Sequence, residues 1–369
     1  MRSIVLVGGE GTRLRPLTLR TPKQVVPVLN RPLLDHLLLH LRDHGVTSVT
    51  LAMTRRSEAV RHAFEDGSRL GVHIDYAYED TPLGSGGAIA SIAAGWTEPF
   101  LVCNGDIITD FDVTAFIEAH RARAAELSIA LHEVEDPTAF GVVALAHDGR
   151  ITRFVEKPKR EDAPSRWINA GFWLFEPGLL REMDATAFNR VEDALFPALA
   201  AAGRAVFGFR HAGYWVDVGN PEAYRRANLD LLQGACPGRL PAGWPASRIA
   251  APDGGLAATA RIQPPALLGP GLRLDADAMI EGPVVAGDRC QVGEGAKVSS
   301  SVLWDDVTVE PGAVVLDSVL AAGVRVGAGA VIEGAAVGHG AIVEPGARVP
   351  RGARIDPDTV FPWEDGGRS

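Results

Sequence analysis

The stretch VLVGGEGTRLRPLTLRTPKQ, residues 5–24, begins at the end of the first apolar run of this 369-residue chain and continues into a glycine-rich, basic segment. It holds three glycines, three arginines and one lysine. Glycines beside a buried strand let backbone N–H groups turn toward an anion without obstruction from side chains. An arginine can bind two phosphate oxygens at once, and a lysine supplies a compact positive charge. The stretch therefore predicts a binding site for a phosphate chain.

The overall charge indicates what kind of partner this site serves. The net charge of −10 argues against a general nucleic-acid-binding protein, because such proteins usually present a basic surface. The first 24 residues are a local exception, since Glu10 is their only acidic residue. A basic site on an acidic protein suits a small anionic substrate.

Targeting and redox signals are absent from the sequence. No apolar run is long enough for a membrane span, and no signal-peptide pattern precedes the first strand. Cys103, Cys236 and Cys290 are far apart and form no CxxC pair, so neither structural disulfides nor a zinc site are expected. We expect a cytoplasmic protein that binds neither nucleic acid nor membranes.

Up to residue 235, short apolar runs alternate with helical patterns. SIVLVGG (3–9) is typical of a strand, and RPLLDHLLLHLRDHG (31–45) has leucines on one helical face with a glycine stop. The alternation predicts an α/β fold, a Rossmann-like and mainly parallel sheet with helices on both faces. Ligands of such sheets gather at the carboxyl ends of the strands, where the glycine-rich stretch and the NGD triplet (104–106) both lie.

Beyond residue 235 the helical patterns stop and small aliphatic repeats begin. Three rows of aliphatic residues recur at intervals of 17: Val292, Val309, Val326 and Val343; Val298, Val315, Ile332 and Val349; Leu303, Leu320 and Val337. Before them, Ile262, Leu268, Leu274 and Ile280 are spaced at steps of six. An aliphatic residue about every six, with glycine and alanine between, is the hexapeptide signature of a left-handed parallel β-helix.

These patterns divide the chain into four parts. The α/β domain is predicted at 1–235, a Pro/Gly-rich linker at 236–257, the β-helix at 258–356 and a tail at 357–369.

Seven motifs occur along the first domain in a set order. They are GGEGTRLRPLT followed by PK, EDTPLGSGGA (79–88), NGD (104–106), FGVV (140–143), FVEKP (154–158), INAG (168–171) and YWVDVG (214–219). In this order they closely resemble the signature of the sugar nucleotidyltransferases. The phrases GTRLRPLT, RFVEKP, INAGF and FPAL are most similar to the mannose-1-phosphate guanylyltransferases. The resemblance covers the whole first domain and implies that this is the catalytic domain, with an appended β-helix as is common in the family.

The resemblance also implies a reaction, in which a sugar 1-phosphate attacks the α-phosphorus of a nucleoside triphosphate and pyrophosphate leaves. Arg13 would hold the leaving pyrophosphate, and Lys23 the α-phosphate region. Asp106 and Asp217 would hold Mg²⁺, a cation that prefers carboxylate, phosphate and water oxygens. Taken alone, each aspartate is as well explained as a strand-end cap, but the pair within matching motifs favours the metal.

The sugar phosphate is assigned by the same resemblance to the EKP and INAG motifs. Glu156 would accept hydrogen bonds from sugar hydroxyls, and Lys157 would bind the sugar phosphate. Gly141, Asn169 and Gly171 would line the pocket, with the glycines leaving room for the ring.

The residues predicted to bind the nucleotide lie in the first two motifs. They are Gly8, Gly9, Gly11, Thr12, Glu79, Gly84 and Ser85. Glu79 favours guanine, because one carboxylate can accept from both N1–H and the 2-amino group. Two departures from the family's usual phrases leave the sugar open. Gln24 replaces a proline, and GSGGAI resembles the heptose-phosphate guanylyltransferases.

We therefore expect an enzyme that makes GDP-mannose from mannose 1-phosphate and GTP. A glucose-1-phosphate uridylyl- or thymidylyltransferase and a heptose-1-phosphate guanylyltransferase remain alternatives. A non-catalytic, pyrophosphorylase-like regulatory subunit is disfavoured, since Arg13, Lys23, Asp106 and Asp217 are all present.

The β-helix invites a second activity, acyl transfer, which generally needs a catalytic histidine. His339, in the turn VGHGA, is the only histidine of the repeat region, and a lone turn histidine is expected to be solvated. We therefore expect the β-helix to join subunits into a homo-oligomer or to bind an allosteric ligand.

Overall fold

The computed structural model describes residues 1–54, 58–236, 238–240, 243–245, 249–250 and 255–363. The chain forms two units. The sheet unit joins Met1–Gly9 with Leu34–Trp215, and the β-helix unit joins Glu10–Leu33 with the chain from Val216 onward. The predicted linker and tail lie partly outside the described residues. None of the helices in these ranges has both the length and the apolar character needed to cross a membrane.

The sheet unit is built on nine strands. They are β1 (Arg2–Leu6), β2 (Ser48–Thr54), β3 (His73–Glu79), β4 (Phe100–Asn104), β5 (Leu127–Glu133), β6 (Gly141–Leu145), β7 (Ile151–Glu156), β8 (Trp167–Phe175) and β9 (Val206–His211). Their order is β7-β6-β8-β4-β1-β2-β3, and β5 pairs with both β8 and β9. The α/β fold of the first domain is confirmed.

The sheet is mixed rather than mainly parallel. β1 runs parallel to β2 and β4, but β8 runs antiparallel to β4, β5 and β6. Connection length accounts for the antiparallel pair β6–β7, because antiparallel neighbours can be joined by a tight turn whereas parallel neighbours need a long crossover. β6 and β7 are joined by such a turn, closed by the Ala146 N–H donating to the Arg150 carbonyl at 2.8 Å.

Helices cover both faces of the sheet, as predicted. They are α1 (Leu33–Asp43), α2 (Glu58–Phe64), α3 (Gly84–Ile92), α4 (Val113–Ala122) and α5 (Leu195–Ala201). Successive residues of β8 point to opposite faces. Trp173 packs on Phe196 of α5 with ring centroids 5.2 Å apart, whereas Phe172 meets His40 of α1 at 6.4 Å.

Helix α6 (Pro221–Gln233) belongs to the β-helix unit and precedes the coils. Its ends are set by its sequence. Asn220 caps the helix by accepting from the Ala223 N–H at 2.9 Å, and Pro221 occupies the first turn. Gly234 ends the helix in the left-handed conformation with φ of 89°.

Three parallel sheets come next along the chain, as a left-handed β-helix requires. The first contains Ile249–Ala250, Ala266–Leu268, Val284–Ala286, Val302–Leu303, Val319–Leu320, Ala336–Val337 and Arg354–Ile355. The second contains Gly255–Leu256, Arg273–Leu274, Gln291–Val292, Thr308–Val309, Arg325–Val326, Ile342–Val343 and Val360–Phe361. The third contains Arg261–Gln263, Met279–Glu281, Lys297–Ser299, Val314–Leu316, Val331–Glu333 and Arg348–Val349. Some of these strands lie outside the predicted limits of 258–356.

The predicted aliphatic rows are confirmed by the strand register. Val292 pairs with Val309, and Val298 with Val315, and both rows continue coil by coil. All the row residues from Val292 onward are buried in one core.

One corner of the coils has a polar interior that the repeat pattern did not predict. The Ser301 hydroxyl donates to the Ser299 carbonyl at 2.6 Å and accepts from the Ser318 N–H at 3.1 Å. The Ser318 hydroxyl repeats this one coil later, accepting from the Ala335 N–H at 3.1 Å. Both hydroxyls are buried, so they satisfy backbone donors that would otherwise be costly to bury.

Candidate functional site

The glycine- and arginine-rich stretch folds into what we call the signature loop, residues 10–26. It consists of three single-turn 3₁₀ helices, Thr12–Leu14, Leu17–Leu19 and Lys23–Val25. Leu14 and Leu17 are fully buried and anchor the loop. The Thr18 hydroxyl closes it by donating to the Gly11 carbonyl at 2.7 Å. The predicted nucleotide ligand Thr12 is exposed at the start of the first turn.

Three predicted site residues come together in the β-helix unit, and we call them the cationic cluster. Asp217 Oδ2 lies 3.6 Å from Arg13 Nη2, and Asp217 Oδ1 lies 3.8 Å from Lys23 Nζ. The Arg13 side chain is 66% exposed and that of Lys23 only 8%. Two cations that approach the same carboxylate form an arrangement that suits a polyanion.

Gly219, which was not predicted as a site residue, supports the cationic cluster. A Cβ at this position would lie 3.2 Å from both Arg13 Nη2 and Asp217 Oδ2. Any side chain would therefore press against the ion pair. The glycine that ends the YWVDVG motif leaves room for this pair.

In the sheet unit, the β6–β7 hairpin positions Glu156 and Lys157. Glu156 lies opposite Gly141, as the register shows. Its Oε1 is 3.2 Å from Arg190 Nη2 and 3.6 Å from Lys157 Nζ. Lys157 is held in the left-handed region with φ of 44°, and its N–H donates to the Phe140 carbonyl at 3.0 Å. Its side chain is 58% exposed and can reach a ligand.

Ser85 belongs to the same group of contacts, which we call the carboxylate cluster (Ser85, Glu156, Lys157, Arg190 and Glu192). The Ser85 hydroxyl donates to Glu192 Oε2 at 2.6 Å and accepts from the Val191 N–H at 3.1 Å. Gly84 opens α3 at this point, and the Gly86 N–H donates to the Asn189 carbonyl at 3.0 Å. The start of α3 is thereby tied to the segment 189–192.

Arg190 connects the two halves of the carboxylate cluster. Besides Glu156, its Nη2 lies 3.7 Å from Glu192 Oε1. Burial lowers the pKa of Arg190, but the carboxylates of Glu192, Asp193 and Glu156 outweigh it and raise the pKa above its ordinary value. Arg190 and Glu192 were missed by sequence reasoning. They lie in NRVED (189–193), which belongs to none of the seven motifs, and its dense charge was the only signal.

Asn169 and Gly171 form a bulge in β8. Asn169 Oδ1 accepts from the Gly171 N–H at 3.0 Å and from Trp173 Nε1 at 2.7 Å. Gly171 has φ of 77°, and a Cβ there would overlap Ile107 and lie 2.9 Å from Asn104 Nδ2. A glycine is therefore required by both conformation and space. The oxygen of Asn169 is used to hold the bulge, which leaves its amide NH₂ as the group to face a ligand.

The carboxyl ends of β1 and β4 carry further predicted residues. These strands are parallel neighbours, so their ends lie at the same edge of the sheet. Gly8 and Gly9 come after β1 and are exposed, and half-buried Asp106 comes after β4. The Gly105 N–H donates to the Leu6 carbonyl at 3.0 Å, which holds the NGD triplet beside the end of β1.

Glu79, the predicted guanine ligand, ends β3. Its Oε2 accepts from the Leu83 N–H at 3.2 Å, so the carboxylate closes the turn that leads into α3. Burial raises the pKa of Glu79, and the hydrogen bond from Leu83 opposes this only in part. Glu79 therefore has a structural role in addition to the one predicted for it.

Two family models match the chain. Residues 2–234 match the family described as nucleotidyl transferase, and residues 262–349 match the GMPPB C-terminal domain. The mannose-1-phosphate guanylyltransferase of Mycobacterium tuberculosis is 35% identical over 315 residues, which cover 85% of this chain and 82% of that protein. Mannose-1-phosphate guanylyltransferase 1 of Arabidopsis thaliana is 31% identical over 342 residues, covering 90% and 89%.

A solved structure shares the fold of the first domain. HddC from Yersinia pseudotuberculosis is 27% identical, with a TM-score of 0.55 over 63% of this chain and 100% of that one. Its full length thus corresponds to less than two thirds of this chain. With a family match over most of its length and relatives that cover both of its domains, the chain belongs to the nucleotidyl transferase family.

Proposed function

We propose that the chain is a mannose-1-phosphate guanylyltransferase, which joins mannose 1-phosphate to GTP and releases pyrophosphate. The observation that carries the proposal is the cationic cluster, in which the arginine and lysine of the signature loop flank Asp217. Relatives with this name match the chain over both the catalytic domain and the β-helix, which supports the choice of substrates.

The reaction needs positioning and charge rather than a covalent enzyme intermediate. An oxygen of the sugar phosphate attacks the α-phosphorus of GTP in line. The bond from the α-phosphorus to the bridging oxygen breaks, and that oxygen leaves with pyrophosphate. Exposed Arg13 would bind the leaving pyrophosphate. Buried Lys23 would bind the α-phosphate, and its low solvent access strengthens the electrostatic attraction between the two groups.

We propose Mg²⁺ as the cofactor, held by Asp106 and Asp217. The donor set fits, because carboxylate oxygens are hard ligands. Among the residues that the structure describes, no group of three or more His, Cys, Asp or Glu side chains could hold a metal by itself. The remaining ligands would be phosphate oxygens and water, as Mg²⁺ prefers. When bound, the ion offsets the negative charge of the phosphates.

The carboxylate cluster would select the sugar. Arg190 holds Glu156 in place, so that the carboxylate can accept hydrogen bonds from sugar hydroxyls. Lys157 would bind the phosphate of the same substrate, and Asn169 would offer its amide NH₂. For the base, Glu79 would accept from the N1–H and the 2-amino group of guanine.

We further propose a cytoplasmic homo-oligomer. All three cysteines are buried, and none forms a disulfide in the part of the chain that the structure describes, which suits a reducing compartment. On the last coils, Ile342, Val360 and Trp363 are exposed, and Ile342 and Val360 are neighbours in the register. An exposed apolar patch of this kind supports a contact between subunits through the β-helix.

The test is pyrophosphate release with Mg²⁺ over five nucleoside triphosphates and four sugar 1-phosphates, those of mannose, glucose, N-acetylglucosamine and heptose. We expect GTP with mannose 1-phosphate to give the highest kcat/KM. A preference for UTP or dTTP would reject the guanine assignment, and one for the heptose would reject the sugar. No release with any pair would reject the enzyme.

A further inference from the structure

The turn 338–340 of the β-helix lies against the signature loop. His339 Nε2 is 3.0 Å from the Thr21 hydroxyl, and the ring also lies beside the backbone of Leu17. The expectation of a solvated turn histidine was wrong, because the ring is half-buried and contacts the loop at two points. Burial and the charge of Arg20 lower the pKa of His339. In the neutral ring, one nitrogen can donate to Leu17 and the other can accept from Thr21.

The next coil adds two contacts to the same loop. The Asp358 N–H donates to the His339 carbonyl at 2.8 Å, and the Asp358 carboxylate forms an ion pair with Arg20. Arg354 Nη1 donates to the carbonyl of Arg13 at 3.2 Å. Side chains of two successive coils therefore contact the signature loop at Arg13, Arg20 and Thr21.

Behind His339 lies a buried support that holds the chain directly after the signature loop. The Trp304 ring packs edge-to-face on His339 with centroids 5.1 Å apart. Trp304 Nε1 donates to the Tyr224 hydroxyl at 2.8 Å, and this hydroxyl donates to the Pro27 carbonyl. Trp304 is 4% exposed and Tyr224 fully buried, so the support is rigid.

The loop needs such external contacts. Single-turn 3₁₀ helices have poor hydrogen-bond geometry and do not persist by themselves in water. Arg13 and Lys23 lie on either side of the two positions that His339 contacts. We propose that His339, together with Asp358 and Arg354, is a positioning residue through which the β-helix holds the signature loop in the conformation that places Arg13 and Lys23 beside Asp217.

Limited trypsin digestion of the full-length protein tests the positioning directly. Trypsin can cut this loop after Arg13, Arg20 and Lys23. We expect His339→Ala to speed these cuts about tenfold, since the loop opens more often. The control is Arg289→Ala, which breaks an ion pair between coils, 2.6 Å from Asp306, and should leave loop cleavage unchanged. Equal loop cleavage in His339→Ala and the wild type would overturn the proposal.

Kinetics provide the second test, and its interpretation rests on the proposed function. His339→Ala should lower kcat about 10- to 100-fold, and His339→Gln should recover part of it because an amide can still hydrogen-bond. Thr21→Val, which removes only the hydroxyl, should cost less and should add little to His339→Ala in a double-mutant cycle. Additive effects would overturn the coupling. The digestion needs no turnover, so failure of the activity assay alone leaves the positioning result intact.

A global loss of folding is excluded by circular dichroism and by the Tm of each variant. If His339→Ala lowers the Tm no more than Arg289→Ala does, faster loop cleavage reports the loop itself. If the two variants speed loop cleavage equally, general destabilisation of the β-helix explains the result and the proposal fails.

Discussion

The cationic cluster of the β-helix unit and the carboxylate cluster of the sheet unit differ in charge, and the proposed function gives them different parts of the substrates. In the first, Arg13 and Lys23 stand 3.6 and 3.8 Å from a single carboxylate. In the second, Arg190 serves two carboxylates at 3.2 and 3.7 Å, and a serine hydroxyl donates at 2.6 Å. The first brings two cations together and suits phosphates. The second has hydrogen-bond acceptors held in place and suits hydroxyl groups.

The two clusters also differ in how they are supported. Arg13 and Lys23 lie on a loop made of single turns, whose contacts come from distant coils of the β-helix. Glu156 is on a strand of a large sheet, opposite Gly141. A site on a loop depends on the elements packed against it, whereas a site on a strand inherits the rigidity of the sheet.

The largest effect should result from loss of a carboxylate that we propose holds Mg²⁺. Asp217→Asn keeps the shape of the side chain but removes the charge that faces Arg13 and Lys23. We expect kcat to fall about 100- to 1,000-fold, the loss typical of a group that stabilises charge in the transition state. Asp106→Asn should behave similarly, and both variants should need more Mg²⁺ for half-maximal rate.

Steady-state pyrophosphate release across a Mg²⁺ titration measures these changes, with Tm as the check on folding. A kcat within about twofold of the wild type for either variant would contradict the assigned role, because a group that stabilises transition-state charge is worth far more than that.

A smaller effect is expected in the carboxylate cluster. Arg190→Met keeps the length of the side chain but leaves Glu156 and Glu192 without their shared partner. The KM for mannose 1-phosphate should rise about tenfold, more than that for GTP, because the loss of one charged hydrogen bond is worth about 1.5–3 kcal/mol. Arg153→Met, at an exposed position of β7, is the matched control. Equal changes in the two KM values would show that Arg190 does not act specifically on binding of mannose 1-phosphate.

Base selectivity should change by a similar factor. Glu79→Gln can still accept from the Leu83 N–H, so the turn before α3 and the Tm should be preserved. An amide offers one acceptor oxygen instead of two, so the ratio of kcat/KM for GTP to that for UTP should fall about tenfold, one hydrogen bond's worth. The ratio is measured by competition between the two nucleotides. An unchanged ratio would remove Glu79 from base recognition.

The smallest effect concerns the stability of the sheet unit and involves neither cluster. His120 of α4 is buried, with Nδ1 2.9 Å from the Ser128 hydroxyl. Burial lowers the pKa of His120 from its ordinary value of 6.5, and the bond with Glu176 raises it only in part. Below this ordinary value the unfolded chain therefore takes up a proton more readily than the folded one, and stability falls as the pH drops.

We expect the Tm of the wild type to fall more between about pH 7.5 and about pH 6 than that of His120→Gln, whose side chain does not titrate. Subtracting the two curves removes the contribution of the other histidines. Parallel curves would contradict the assignment of a neutral, buried His120.

Much of the fold is encoded in periodic patterns of the sequence. The step of 17 between Val292, Val309 and Val326 is the register of the coils itself, because each coil must bury one aliphatic residue per face. The ordered motifs likewise identified Arg13, Lys23 and Asp217, and the structure brings them together. The mixed character of the sheet could not be predicted, because an apolar run looks the same whether its neighbour is parallel or antiparallel.

Sequence alone thus determined the family and the β-helix, and it pointed to the residues that we propose bind phosphate, because each of these follows a local pattern or a fixed order. Only the tertiary structure decided that Arg190 joins Glu156 to Glu192 and that His339 holds the loop at Leu17 and Thr21. Arg190 and Glu156 are 34 residues apart in the chain, and His339 and Thr21 are 318 apart. Such contacts leave no spacing or period to read, since they depend on where folding places each segment.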